Sequence, residues 1–231
     1  DQSETKLFIE NEDCQVKVEV NFVFRGTVLP TVKLALSPKT SMQFSTEVEV
    51  PMLAPDELYG GKLVAALDRQ HPRDLFDVWR LFETGGLTDA TIECFATYLA
   101  GGTRPFHEVL FGTDKDIERE YHNHFVGMTT EPVPLETLLS TRTRLREELS
   151  QRLTPNQRRF LISLSLAEPS WELLQCPHAA ELPALRWKLE NLKKFSQKRP
   201  ADFSAQAAEL ARLLAVPATD SKPTTTTDVP R

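Results

Sequence analysis

Two periods of hydrophobic and polar residues divide the chain. Val16, Val18, Val20, Phe22 and Phe24 alternate with Lys17, Glu19, Asn21, Val23 and Arg25, a period of two that gives a strand one apolar and one mostly polar face. Gly26-Thr27 and Leu29-Pro30 punctuate the pattern. It then returns at Val32, Leu34 and Leu36, and again at Phe44, Thr46, Val48 and Val50. The reading is an antiparallel meander of three or four strands with one face buried.

From Pro55 the period becomes helical, with Leu63, Ala66 and Leu67 on one face. Pro72 opens a second helix in which Leu75, Val78, Trp79 and Phe82 follow the i, i+3, i+4, i+7 pattern, and Gly85-Gly86 ends it. Further helices are predicted at about 88–99, 116–125, 134–152, 155–167, 182–197 and 201–215. In the helix at 134–152, Leu135, Leu138, Leu139, Arg142, Leu145 and Leu149 share a side, and Thr154-Pro155-Asn156-Gln157 reads as a capping box with Pro at the first helical position. The end, 216–231, has Pro223, four consecutive Thr and Pro230 without apolar periodicity, and is expected to be disordered. The fold class that follows is α+β, strands first and helices after.

Composition narrows the function. A chain of 231 residues that is 40% hydrophobic can bury a real core. With 27 basic and 33 acidic side chains the formal charge is −6, so any nucleic-acid contact must be local. Cys14, Cys94 and Cys176 lie far apart with no zinc-type spacing, which fits a reducing cytoplasm, and no apolar run approaches the roughly 20 residues of a membrane span. The start at Asp1, within strand-like sequence, suggests a fragment.

Three features could carry chemistry. Glu19 lies on the polar side of an apolar strand, where a rigid backbone could aim its carboxylate at Mg²⁺, although the solvent face of a sheet explains it equally simply. Lys62 and Arg69, seven residues apart, share one helix face, while Asp74 and Asp77 lie three apart on the next helix, so two cations and two carboxylates could meet in one cleft. The plainer account is a dipole-favouring Asp74 and an ordinary surface pair from Arg73 to Asp77. Gly101-Gly102-Thr103 followed by Asp114-Lys115-Asp116 imitates a nucleotidyltransferase turn and acidic pair. Lys115 stands where an apolar residue is needed and Pro105 breaks the following helix, so this is a decoy. The five His are scattered, and Arg142, Arg144, Arg146, Arg158 and Arg159 read as charge on the outer side of amphipathic helices more readily than as RNA contacts.

The segment Gly61-Lys62-Leu63-Val64-Ala65-Ala66-Leu67-Asp68-Arg69 followed by Arg73-Asp74-Leu75-Phe76-Asp77-Val78 resembles the last motif of the AbiEii/AbiGii toxin family, a Lys on one helix before an Arg-Asp-x-x-Asp. Lys17-Val18-Glu19-Val20 is similar to the strand motif before it, and the helical remainder also looks like the family's C-terminal part. The resemblance implies an incomplete polymerase-beta-like nucleotidyltransferase sheet at 1–86, followed by a helical C-terminal lobe at 87–215. It also implies Mg²⁺-dependent transfer from a nucleoside triphosphate to an RNA or protein acceptor, tRNA being a possible one, with an antitoxin as a possible partner and no membrane. On that basis Lys62 would grip triphosphate with Arg69 and Arg73 beside it, Asp74 would be the essential acid supported by Asp77, and Glu19 and Asp74 would hold metal. The family's Gly-rich turn and Asp-x-Asp belong before the Glu19 strand, and only eighteen residues precede Glu19 here, so impaired transfer by this chain is expected. A non-catalytic module that binds an antitoxin or another partner is the competing expectation.

Overall fold

The computed structural model describes residues 6–19 and 26–214. The strand positions at 20–25 and the tail at 216–231 therefore lie outside the described residues. Strand β1 (Lys6–Glu10) pairs antiparallel with β2 (Gln15–Glu19), Leu7 opposite Val18 and Ile9 opposite Val16. Strand β3 (Val32–Ala35) pairs antiparallel with β4 (Glu49–Met52), Leu34 opposite Val50. These are two separate two-stranded ribbons among the described residues, not one meander.

The expected buried face is also corrected. Leu7, Phe8, Ile9, Val16 and Val18 are all exposed, between 40% and 55%. Alternation marks a face as apolar, but only a second layer covers it, and a lone ribbon has none.

Helix α1 (Pro38–Phe44) occupies sequence whose end at Phe44 was read as the start of a strand. Its signals are local. The Ser37 hydroxyl accepts the Thr40 amide at 3.2 Å, Pro38 sits at the first helical position, and Ser45 leaves in the left-handed region at φ 48°.

The helical body is α2 (Pro55–Arg69), α3 (Pro72–Thr84), α4 (Asp89–Ala100), α5 (Phe106–Phe111), α6 (Glu118–His124), α7 (Leu135–Arg152), α8 (Pro155–Ser165), α9 (Pro183–Lys198) and α10 (Pro200–Leu214). Boundaries agree with the periodicity to a residue or two, and α5 was not anticipated: Pro105 ends nothing and instead starts a short helix that buries Phe106, Val109 and Leu110. The capping box of α8 forms in both directions, Thr154 Oγ1 accepting from Gln157 N and Gln157 Oε1 from Thr154 N. One cluster of buried side chains runs from Val28 to Leu214, with Leu63, Leu75, Phe95, Leu138, Leu145 and Phe160 fully enclosed.

Helix α2 packs along α4 and turns back against α3. The approach to α4 is closest at Gly60, where an added Cβ would stand 2.6 Å from Cys94 Cβ and 2.8 Å from the Phe95 amide nitrogen. Both obstacles are on or beside backbone and cannot swing away. Gly60→Ala is therefore expected to lower the urea midpoint by an amount equivalent to about 2 kcal/mol or more, despite the gain of about 1 kcal/mol in helix propensity. An unchanged midpoint would show that the two helices do not meet there.

Candidate functional site

The turn between α2 and α3 brings the sequence-selected charges together. Lys62 Nζ hydrogen-bonds Asp77 Oδ2, and one end further along Arg69 Nη2 meets Asp74 Oδ1 at 2.7 Å. In an antiparallel helix pair an early residue of the first faces a late residue of the second, so both bridges follow from one register. Lys62 and Asp77 are about one-third exposed, which leaves their bridge a minor contribution to stability, well under about 1 kcal/mol. Asp74 is more enclosed, and its Oδ2 is buried with no hydrogen-bond partner.

Other expectations for this place change. Arg73 is exposed and makes no ion pair among the described residues: Asp77 is taken by Lys62 across the hairpin, so the surface pair from Arg73 does not form. His71, unnoticed in the sequence, caps α3 by accepting the Arg73 amide on Nδ1 at 3.2 Å. Burial, and then the Arg73 charge, hold its pKa below the ordinary value, and the neutral ring is the form that can accept. Glu19 is held on its own ribbon by Lys17 and, at 4.0 Å, by Lys6, and no hydrogen bond or ion pair joins it to α2 or α3.

Beneath the turn lies a support that the periodicity only hinted at. Gln70 closes α2 in the left-handed region at φ 54° and is buried. Its amide donates to Thr113 O at 3.0 Å and accepts from Lys115 N and Arg142 Nη1, both at 2.9 Å. Lys115 Nζ in turn reaches the terminal carbonyls of Asp68 and Arg69, at 3.0 and 3.3 Å, where the helix macrodipole favours a cation. Arg142 is thus inside, as its place in the leucine stripe of α7 implies, and not on the outer side of that helix. Asp114 faces Arg142 and Arg146 at 3.4 and 3.2 Å, so this carboxylate of the decoy motif anchors the support. Arg158 also serves the fold, donating to the carbonyls of Leu153, Leu214 and Ser150.

Two buried carboxylates escaped sequence reasoning. Glu57, fully buried in the first turn of α2, accepts from Val28 N at 2.7 Å, Leu29 N at 2.9 Å and Tyr98 Oη at 3.0 Å. Glu93 accepts from Gln157 Nε2 at 2.7 Å and Gln175 N at 2.6 Å. The signal for Glu57 was spacing, since Glu57, Gly60, Leu63 and Leu67 follow a helical stripe, whereas Glu93 lies on α4, a helix buried on nearly every side. Burial, and then the charge of Glu57, raises the Tyr98 pKa above its ordinary range, and burial foremost pushes Cys94 up to about 12.

No three His, Cys, Asp or Glu side chains among the described residues come together as a metal site. The donor set at the hairpin, one partnerless carboxylate oxygen on Asp74, whose other oxygen is held by Arg69, fits a divalent ion that takes most of its ligands from substrate phosphates and water. It does not fit an all-protein cage.

Small antiparallel ribbons leading into a helical body, with facing cations and carboxylates on its first helical hairpin, define an α+β protein with one candidate polar site. The family described as Nucleotidyl transferase AbiEii toxin, Type IV TA system, matches residues 3–191, and the chain belongs to that family. No curated protein and no solved structure gives a significant match. Among the described residues no helix is long and apolar enough to cross a membrane.

Proposed function

We propose that the α2–α3 hairpin handles the nucleoside triphosphate in a toxin-type nucleotidyl transfer. The observation that supports this reading is the pair of bridges on one side of the hairpin, Lys62 with Asp77 and Arg69 with Asp74, together with the partnerless Asp74 Oδ2. Both cations are at least one-third exposed, so phosphate oxygens can replace the carboxylates that now satisfy them. Lys62 would then hold triphosphate as a compact point charge, and Arg69 would grip it with a planar fork. Arg73, exposed at the start of α3, adds a cation at the mouth. Mg²⁺, bound through Asp74, would supply charge neutralisation at the phosphates. The residues of the chain itself position the triphosphate and exclude alternative poses, and placement with fixed charge is the larger part of catalysis in phosphoryl chemistry. The acceptor in this reading is an RNA such as tRNA, and the partner that restrains the toxin is an antitoxin protein. Glu19, which pairs with Lys17 and Lys6 on its own ribbon, is not used in this reading.

The test is thermal and chemical together. Mg²⁺ with a nucleoside triphosphate is expected to raise Tm, since a ligand at about 100 times its Kd adds about 2.7 kcal/mol to the folded state. Lys62→Ala is expected to abolish that rise while leaving the Tm of the free protein nearly unchanged, because its bridge to Asp77 is exposed, and Asp74→Asn, which keeps the size of a more enclosed side chain, should abolish it as well. Transfer of labelled nucleotide to total tRNA, where detected, should fall about 100-fold or more in either variant. A rise that survives both substitutions would remove the hairpin from the reading.

A second reading is favoured by the apolar exposure of β1 and β2: a protein-interaction module in which the two ribbons meet a partner and the hairpin charges are scaffold. It expects no shift with Mg²⁺ and nucleotide.

A further inference from the structure

Away from the hairpin, α5, α9 and α10 enclose a pocket of about 340 Å³. Four aromatic side chains, Phe106, Trp187, Phe195 and Phe203, line it, with polar side chains such as Asn191 and Gln206 between them. The charged residues that line it, Lys188 and Arg199, are both basic, and no Asp or Glu lines it at all, in a chain whose formal charge is −6. Arg199 is already engaged by Asp202, at 2.6 Å.

Lys188 is only 6% exposed. Its ammonium donates to Arg104 O at 2.9 Å and Thr103 O at 3.4 Å, lies 4.8 Å from the centre of the Phe106 ring, and has no carboxylate within ion-pair distance among the described residues. An ammonium has three N–H donors, and two neutral carbonyls leave one proton and the whole charge uncompensated. Burying such a cation lowers stability unless an anion accompanies it. Burial accordingly pulls its pKa down to about 8.

We propose that this pocket binds a small organic monocarboxylate with a flat apolar body, its carboxylate on Lys188 and its body against Phe106, Trp187, Phe195 and Phe203. One buried ammonium balances one negative charge, which argues for a carboxylate over a phosphate dianion. The four aromatic rings, with Leu192 and Leu210, set the flat apolar body, while Ser165, Asn191 and Gln206 leave polar groups on the remaining wall; pockets of this volume and mixed character hold small molecules. No residue of α2 or α3 lines the pocket, so it is separate from the nucleotide-handling hairpin.

The probes are naphthalene-2-carboxylate, the neutral naphthalene-2-methanol and inorganic phosphate, measured by calorimetry on the full chain. The carboxylate is expected to bind at least tenfold more tightly than the alcohol, with phosphate weaker than both. In Lys188→Met, which keeps the apolar stem, carboxylate and alcohol should bind alike. A measurement on the unsubstituted chain covers the case in which that variant does not fold: saturating naphthalene-2-carboxylate should protect Lys188 from acetic anhydride, read by peptide mass, while the exposed Lys193 and Lys194 are modified as before. Equal binding of carboxylate and alcohol, phosphate as the tightest ligand, or no protection of Lys188 would each overturn the proposal.

Discussion

Replacing Glu57 by Ala is expected to lower the unfolding free energy by about 3–5 kcal/mol, the largest single loss among these predictions. The carboxylate is fully buried and accepts three hydrogen bonds, from the amides of Val28 and Leu29 and the hydroxyl of Tyr98. Truncation strands three donors, that of Val28 in the buried interior and those of Leu29 and Tyr98 partly buried, and it leaves a void beside α4. Glu57→Gln should cost less, since one oxygen is retained, but its new amide must point a donor at another donor. The connection at risk is specific: residues 27–29 lead into β3, and besides Glu57 they are held by a 2.6 Å contact between His178 Nε2 and Thr27 O. Urea unfolding should therefore show a large midpoint shift for Ala and a smaller one for Gln. If both variants unfolded with the parent midpoint, residues 27–29 would not depend on this carboxylate.

The second large effect concerns pH. Lys188 has its pKa lowered from 10.5 to about 8 by burial. The folded state thus binds this proton less tightly than the unfolded state does, and below pH 8 the charged, buried form weakens the fold. As pH rises from about 8 to 10.5 the folded chain releases the proton first, and stability contributed by this group increases across that window. The shift corresponds to about 3 kcal/mol. Comparing the parent with Lys188→Met isolates it from every other titration: between pH 7.5 and 10.5 the unfolding free energy of the parent should gain on that of the variant by about 2–3 kcal/mol. A difference that stays constant with pH would mean that Lys188 is solvated or paired. A carboxylate bound in the pocket would hold the proton on, and should flatten the same dependence.

How much of this was legible beforehand varies with the kind of residue. The helices were readable because each carries its own stop and start: Pro72 and Gly85-Gly86 bound α3, and the reciprocal Thr154–Gln157 pair opens α8. Where signals competed, the apolar period misled. Phe44, Thr46, Val48 and Val50 alternate, yet Ser37 and Pro38 start a helix that runs through Phe44, since a cap acts on the backbone and alternation does not. At the hairpin, helical spacing foretold that Lys62 and Arg69 would share a face opposite Asp74 and Asp77. It could not foretell that Asp77 would choose Lys62 over Arg73, because that choice depends on the distance between two helices.

The types and limits of α2 to α4 and α6 to α10, and the identity of the charged residues on α2 and α3, were determined by the sequence itself, because capping, periodicity and proline geometry act within a few residues of one another. Tertiary structure alone decided that the apolar faces of β1 and β2 stay uncovered, that Glu57, Glu93 and Lys188 lie inside, and that Asp74 keeps one oxygen unpartnered. Those outcomes turn on which distant segments pack together, and burial of a polar group is a property of its neighbours in space and not of its neighbours in the chain.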